Sequence, residues 1–232
     1  KKGEVITDRS IPEFKKIKKI CLNKNLRLND LEDKKNNFKI LSHTFLEEAQ
    51  LLKIKTKNSI KEIRINLIGK IQLKNILMAI IAAEKSNINI NKIIKVLPNL
   101  KSVEGRFEKI GEIKNRSKVI IDYAHTPDAL KTCILNLKEQ FPDKKIILLF
   151  GCGGNRDQNK RSKMGKIADD FSDKIYLTDD NPRYESPIQI RADIKKGIKS
   201  KKVIEISSRA TAIFNAINNL NTGEILLVAG KG

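Results

Sequence analysis

The sequence has no tryptophan, only 3 cysteines, 6 prolines and 2 histidines among 232 residues, and just 5% aromatics. Each shortage closes off a class of function. Cys21, Cys133 and Cys152 are odd in number and form no Cys-x-x-Cys pair, and His43 and His125 stand far apart. That pattern argues against a zinc site or a disulfide framework. Reduced cysteines suit the cytoplasm, which is the expected location. Apolar runs such as 76–83 and 225–229 fall short of the ~18 residues a membrane helix needs, so no span is expected. Scarce aromatics leave few platforms for stacking bases. The formal charge of +20 would otherwise suggest nucleic-acid binding, but the lysines are scattered rather than gathered. A basic nucleic-acid-binding module is kept only as an alternative from another class. A basic surface would still draw in small anions such as nucleotides. The chain also lacks an initiating methionine; it starts at Lys1, and a missing amino-terminal part is expected.

What is present divides into two regions. Residues 1–66 are irregular, with short strand-like runs at 3–7, 38–40, 49–56 and 60–65 and poor helix signals. Leu73, Ile76, Leu77, Ile80 and Ile81 then repeat at helical spacing. Met78, Ala79, Ala82 and Ala83 occupy the other faces, so this helix is expected to be largely buried. A shorter helix over 91–97 ends at Pro98. After Gly105 the pattern turns regular. Buried-strand runs at 119–122, 146–150, 175–178, 203–206 and 225–229 alternate with helices opened by Thr126-Pro127, by Ser186-Pro187 and by Ser207 or Ser208. The reading is α/β with a mostly parallel sheet covered on both faces, and a boundary placed near residues 103–107.

Ligands of such sheets bind beyond the carboxyl ends of the strands. Here every strand of the second region ends in polar, glycine-rich chemistry. The segments are Asp122-Tyr123-Ala124-His125, Gly151-Cys152-Gly153-Gly154-Asn155-Arg156-Asp157, Asp179-Asp180-Asn181-Pro182-Arg183, Ser207-Ser208-Arg209 and Gly230-Lys231-Gly232. The glycines allow either a tight turn or close approach to an anion. They are not a Walker phosphate loop, since the Gly-Lys-Ser/Thr ending is absent. Asp180, Asn181 and Pro182 can merely end a strand. Arg183 beside two carboxylates points further, to a pocket for a zwitterion: Asp for its ammonium, Arg for its carboxylate. Asp122 reads equally as an acceptor for ribose hydroxyls or as a residue of the helix approach, and His125 as a loop histidine or a ligand contact. Cys152 reads as a small filler rather than a nucleophile.

Five runs occur in order: Val103-Glu104-Gly105-Arg106-Phe107-Glu108, then 121–130, then 150–157, then Asp180-Asn181-Pro182-Arg183, then 228–232. The series resembles the Mur ligases, and within them the type that adds diaminopimelate. The likeness covers nearly all of 66–232 and is looser over 1–65. It implies that residues 1–104 are the end of a central ATPase domain. Residues 105–232 would then be a Rossmann-like carboxyl-terminal ligase domain, truncated at its end. By the same resemblance Asn75, Arg106, Asp122 and His125 would contact ATP. Arg156, Asp180, Asn181, Pro182, Arg183 and Gly230 would contact meso-2,6-diaminopimelate. The implied reaction is ATP-dependent ligation of that amino acid to UDP-N-acetylmuramoyl-L-alanyl-D-glutamate through an acyl phosphate, with Mg2+ serving the phosphates. A monomer with small-molecule partners is expected, without nucleic acid or membrane. A relative adding L-lysine or another amino acid is the alternative within the family.

The chain also departs from the family's pattern. Ile71 and Gln72 replace the usual Phe and Asn, and Ser162 replaces a proline. The phosphate loop and the modified lysine are not in this sequence, so catalytic and metal-ligating residues stay unassigned. A His-Glu pair would normally follow Gly232. These residues alone are therefore expected to be inactive.

Overall fold

The computed structural model describes residues 3–113, 116–200 and 203–230. The chain forms two compact units, residues 1–101 and 102–232.

In the first unit, β1 (Glu4–Thr7) and β2 (Arg27–Asp30) pair in parallel, with α1 (Phe14–Asn23) between them in sequence. The sequence reading finds β1 but neither α1 nor β2. The reason lies in α1 itself. Its apolar stripe of Phe14, Ile17 and Cys21 is narrow, four lysines surround it, and Glu13 at its start makes no side-chain cap. Next, β3 (Phe38–Phe45), β4 (Gln50–Thr56) and β5 (Ile60–Ile65) form an antiparallel meander. Gln50, Leu52, Ile54 and Thr56 of β4 are buried in alternation, as a strand with one covered face requires. The buried Gln50 amide donates to the carbonyls of Leu67 (2.9 Å) and Gly69 (3.1 Å), fixing the approach to α2 (Lys70–Lys85). Then comes α3 (Ile90–Val96), capped by Asn89, and a 3-10 turn over Leu97–Asn99. Leu52, Ile54, Ile63 and Ile65 pack with Leu73, Ile76, Ile80 and Ile81 of α2 and with Ile93 and Ile94 of α3. Unlike the sequence expectation, α2 buries one face only. Ala79 and Ala82 are exposed, because within this unit the core lies against a single stripe of the helix.

The second unit holds a six-stranded sheet in the order β10-β9-β8-β11-β7-β6. Its elements run β6 (Glu108–Glu112), β7 (Lys118–Asp122), α4 (Pro127–Gln140), β8 (Ile146–Phe150), α5 (Asn159–Phe171), β9 (Lys174–Leu177), α6 (Pro187–Lys195), β10 (Val203–Glu205), α7 (Arg209–Asn218) and β11 (Ile225–Ala229). Every pairing is parallel except that of β6 with β7. All residues of β8 and β11 are buried, which explains their uninterrupted apolar runs. Successive helices α4, α5 and α6 pack side by side. Ala212, Ala216 and Leu220 of the α7 region cover Leu149, Tyr176, Leu226 and Val228. The expected α/β class is therefore observed. Thr126, Ser186 and Ser208 cap α4, α6 and α7, each accepting a backbone N–H three residues on, and Pro127 and Pro187 follow the first two. The unforeseen α5 buries Arg161, Met164, Gly165 and Ala168, a face with too little apolar character to register as periodic.

Candidate functional site

Strand direction gathers the polar segments of the second unit at one edge, and close backbone packing then joins them in pairs. The loop after β8 lies directly on the loop after β9. A Cβ on Gly151 would sit 2.3 Å from the Thr178 carbonyl oxygen, and one on Gly154 only 1.9 Å from that of Pro182. The glycines thus serve a role the sequence left open: they let two backbones touch. Gly154 N–H donates to the Asn181 carbonyl at 2.8 Å. Arg183 Nη1 donates to the Gly154 carbonyl at 2.6 Å, and Asn181 Oδ1 accepts from Arg183 N–H at 3.2 Å.

Two residues of this pair of loops, Asn155 (φ 50°) and Arg183 (φ 51°), hold left-handed backbone that costs non-glycine residues on the order of 1 kcal/mol each. Each is held by bonds from the other loop. Asn155 Oδ1 accepts from Tyr184 N–H at 3.0 Å, and Asn155 N–H donates to Glu185. The joined loops carry Arg156 and Arg183, both exposed, together with Asp180 and Asn181. Arg183 has further N–H groups beyond the one on Gly154, and Arg156 has no ion pair to another described residue. Asp180 accepts from Asn181 N–H at 2.7 Å. A rim with two guanidinium groups and one carboxylate suits a ligand with two carboxylates and an ammonium group.

Arg209, at the first turn of α7, donates from Nη2 to the Ala229 carbonyl at 3.1 Å, while its Nη1 is buried without a partner. Burial pulls the Arg209 guanidinium below its ordinary range, and the charge of Asp180 works the other way. Gly230, left-handed at φ 94°, donates to the Asp122 carbonyl at 3.0 Å. A Cβ there would lie 3.6 Å from Ala124 O and 3.7 Å from Gly151 O, so it sits at the junction of β7, β8 and β11. Lys231 and Gly232 lie outside the described residues.

On the β7 side, Asp122 is buried and both its oxygens are engaged. They accept from the backbone N–H groups of Phe107 (3.0 Å) and Ala124 (2.9 Å). In this geometry Asp122 shapes the loops on either side of it. Arg106, Tyr123 and His125 are brought together and exposed. The Arg106 guanidinium carbon lies 5.0 Å from the Tyr123 ring centroid, and the Tyr123 and His125 rings meet edge to face at 5.0 Å. His125 Nδ1 lies 3.0 Å from the Tyr123 carbonyl, and Lys160 Nζ donates to His125 O at 2.7 Å. In the first unit, Asn75 is exposed on α2, its amide 3.4 Å from Gln72 Oε1.

Several residues at this edge went unforeseen. Arg161 of α5, 1% exposed, pairs with Glu185 (2.7 Å) and Asp193 (3.1 Å). Arg191 pairs with Asp179 and, at 2.7 Å, with Glu205. In sequence they read as ordinary surface charges of helices and loops; only the fold gives them partners. Cys152 is buried with Sγ 3.7 Å from Met164 Sδ, and burial pushes its thiol up to about 11, as a filler rather than a nucleophile. Among the described residues no three His, Cys, Asp or Glu side chains cluster to hold a metal ion. None of the described helices is long and apolar enough to cross a membrane.

Comparison with known proteins places this architecture. Residues 105–232 match the profile of a family described as Mur ligase, glutamate ligase domain. The chain is 38% identical over 231 residues to the UDP-N-acetylmuramoyl-L-alanyl-D-glutamate--2,6-diaminopimelate ligase of Rickettsia felis, covering 99% of this chain and 43% of that protein. It is 45% identical over 180 residues to the ligase of the same name from Fusobacterium nucleatum, covering 77% and 37%. The chain thus spans less than half the length of these relatives. Among solved structures, a ligase of that name superposes with a TM-score of 0.66 at 28% identity, over 99% of this chain and 48% of the other. A folylpolyglutamate synthase from Mycobacterium tuberculosis reaches 0.77 at 16% identity, over 98% and 52%, a likeness of fold.

Proposed function

The chain belongs to the Mur ligase family, and from that premise we propose that it forms part of a cytoplasmic, ATP-dependent ligase adding meso-2,6-diaminopimelate to UDP-N-acetylmuramoyl-L-alanyl-D-glutamate. In this reading residues 1–104 are the end of a central ATP-binding domain and 105–232 the amino-acid-binding domain. The observation carrying it is the joined pair of loops after β8 and β9, which carries Arg156, Asp180, Asn181 and Arg183. The names of the relatives supply the substrate. The chemistry of the rim supplies the reason for selectivity.

Diaminopimelate differs from lysine by one carboxylate on the distal carbon. Arg183 and Arg156 offer that group a charge-assisted fork, with Asp180 available for the neighbouring ammonium. With lysine, the cation that should meet the carboxylate stays unmatched while the amino acid covers it, which costs several kcal/mol and rejects lysine. The rim's contribution to the reaction is proximity: it holds the attacking amine in one orientation.

Arg106, Tyr123 and His125 form the exposed cationic and aromatic face that would receive ATP. Asp122 fixes the 105–107 and 122–124 loops and would contact ATP alongside Arg106 and His125. Mg2+ belongs to the proposal as the ion of the phosphates, which would supply charge neutralisation when bound. Among the described residues no three His, Cys, Asp or Glu side chains cluster to hold it.

The test is ADP release by the protein that carries this chain, given ATP, Mg2+, the UDP-muramoyl dipeptide and either meso-diaminopimelate or L-lysine. Diaminopimelate is expected to be used on the order of a hundredfold better in kcat/KM. Arg183→Ala should raise the diaminopimelate KM on the order of a hundredfold while leaving that for ATP nearly unchanged. Equal use of the two amino acids would sink the specificity claim.

A further inference from the structure

We propose that Glu185, anchored on the buried Arg161, is a positioning residue that locks the loops bearing Arg156 and Arg183 into a single amino-acid-binding rim. The proposal rests on the reading of that rim as the site of the incoming amino acid.

One Glu185 carboxylate gathers donors from three places. Oε1 accepts the Asn155 backbone N–H. Oε2 accepts Arg161 Nη2 at 2.7 Å and Gln158 Nε2 at 3.2 Å. Asn155 is the residue immediately before Arg156, and Glu185 lies two residues after Arg183. The return bond from Tyr184 N–H to Asn155 Oδ1 closes the exchange between the loops. Glu185 and Tyr184 therefore add to the Gly154–Asn181 and Arg183–Gly154 bonds that join the loops of the two left-handed residues, Asn155 and Arg183. Remove the carboxylate and only the Tyr184–Asn155 bond and the glycine-side contacts keep the two loops in register.

Arg161 makes this arrangement stiff. It is 1% exposed, it reaches Glu185 with one Nη and Asp193 of α6 with the other, and its Nε is buried without a partner. A guanidinium that far from water loses half its compensation if the 182–186 loop moves, because Asp193 alone remains. Loop displacement is therefore opposed by an electrostatic cost, and the rim has one position. As a mere brace between α5, α6 and a loop, a buried ion pair offers little over apolar packing. Its value lies in fixing one conformation of the groups beside it, which a pocket selecting by carboxylate spacing requires.

The experiment compares Glu185→Gln and Arg161→Lys with the wild type in the full protein that carries this chain. The glutamine keeps the size and an acceptor for Asn155 but removes the charge facing Arg161. The lysine keeps the charge but replaces the planar fork, whose two Nη atoms reach the two carboxylates separately, by one compact ammonium. Both should raise KM for the amino acid tenfold or more, with KM for ATP and for the UDP-muramoyl dipeptide within about twofold and kcat within about threefold. Amide exchange at 153–157 should quicken by at least tenfold in both. Added to Arg183→Ala, Glu185→Gln should raise KM by far less than its effect alone, since both act on one loop. An unchanged amino-acid KM, or a parallel loss in every kinetic parameter, overturns the proposal. All KM values refer to whichever amino acid the wild type incorporates. A wild type that uses lysine thus removes the substrate reading, and the positioning role is still judged by the lysine KM.

Discussion

A single methyl group tests how the two loops meet. Gly154→Ala would place a Cβ 1.9 Å from the Pro182 carbonyl oxygen, and Gly151→Ala one 2.3 Å from that of Thr178. In both cases the obstacle is backbone, so no side chain can swing aside. Each substitution should cost about 2 kcal/mol or more, read by denaturant unfolding, and should spread the rim enough to raise the amino-acid KM. A Gly154→Ala protein with wild-type stability and kinetics would show that the loops can part freely. The thiols give a second check. Burial holds Cys152 at about 11 and pushes Cys133 up as well, with the charge of Asp122 adding to it. Alkylation of these two at pH 8 should wait for unfolding. At this scale the sequence reading succeeds where identity alone speaks: arginine, aspartate and glycine at strand ends announce a charged, close-packed edge. It fails for Arg161 and Glu185, because a charge in a helix or a loop looks the same whether it meets water or a partner. The engagement of both Asp122 oxygens is likewise invisible before Phe107 and Ala124 are in place.

Most elements of the second unit are legible for a local reason. Buried parallel strands leave uninterrupted apolar runs, and Thr126-Pro127 and Ser186-Pro187 mark helix starts by side-chain acceptance and a fixed φ. Thr126→Ala should cost roughly 1 kcal/mol by denaturant unfolding, since Ala129 N–H loses its acceptor while Pro127 still begins the helix. A variant as stable as wild type would mean that water caps the helix equally well. The elements that escaped share the opposite property. In α1, lysines surround a thin stripe whose one fully buried residue is Cys21. In α5, the buried face is made of Arg161, Met164, Gly165 and Ala168, packed through close approach and charge rather than through large apolar side chains. In β6, the burial pattern has no fully buried residue, so nothing distinguishes this antiparallel edge strand from a loop. The over-reading of α2 has the same root. Apolar residues on every face suggest envelopment, while the actual burial follows the layer that reaches the helix, here Leu73, Ile76, Ile80 and Ile81.

The charge of +20 acts on the molecule as a whole, and the ion pairs around the rim set how it responds to acid. Asp193 is drawn down to about 2, chiefly by Lys196, with Arg161 and Gln189 adding and partial burial opposing. Glu185 is lowered first by Arg161, and Glu205 first by Arg191. A carboxylate whose folded value lies below its unfolded one stabilises the fold at pH above the unfolded value, ~4, and loses that contribution as pH falls through the folded value. The window for this unit therefore runs from about pH 4 down to about pH 2, with little change expected between pH 5 and 8. Self-repulsion acts in the same direction, because the charge climbs further above +20 as the 27 acidic side chains protonate. Both effects together predict a steep acid transition. The ion-pair share can be isolated. Asp193→Asn should lower the thermal midpoint at pH 7, yet its curve should approach that of the wild type near pH 2, where about half of the native carboxyl is itself neutral. Thermal unfolding at constant ionic strength across pH 2 to 7 measures the convergence. A fixed offset at every pH would mean that Asp193 stabilises through packing alone, and that the charge on the Arg161 network contributes nothing to holding the rim.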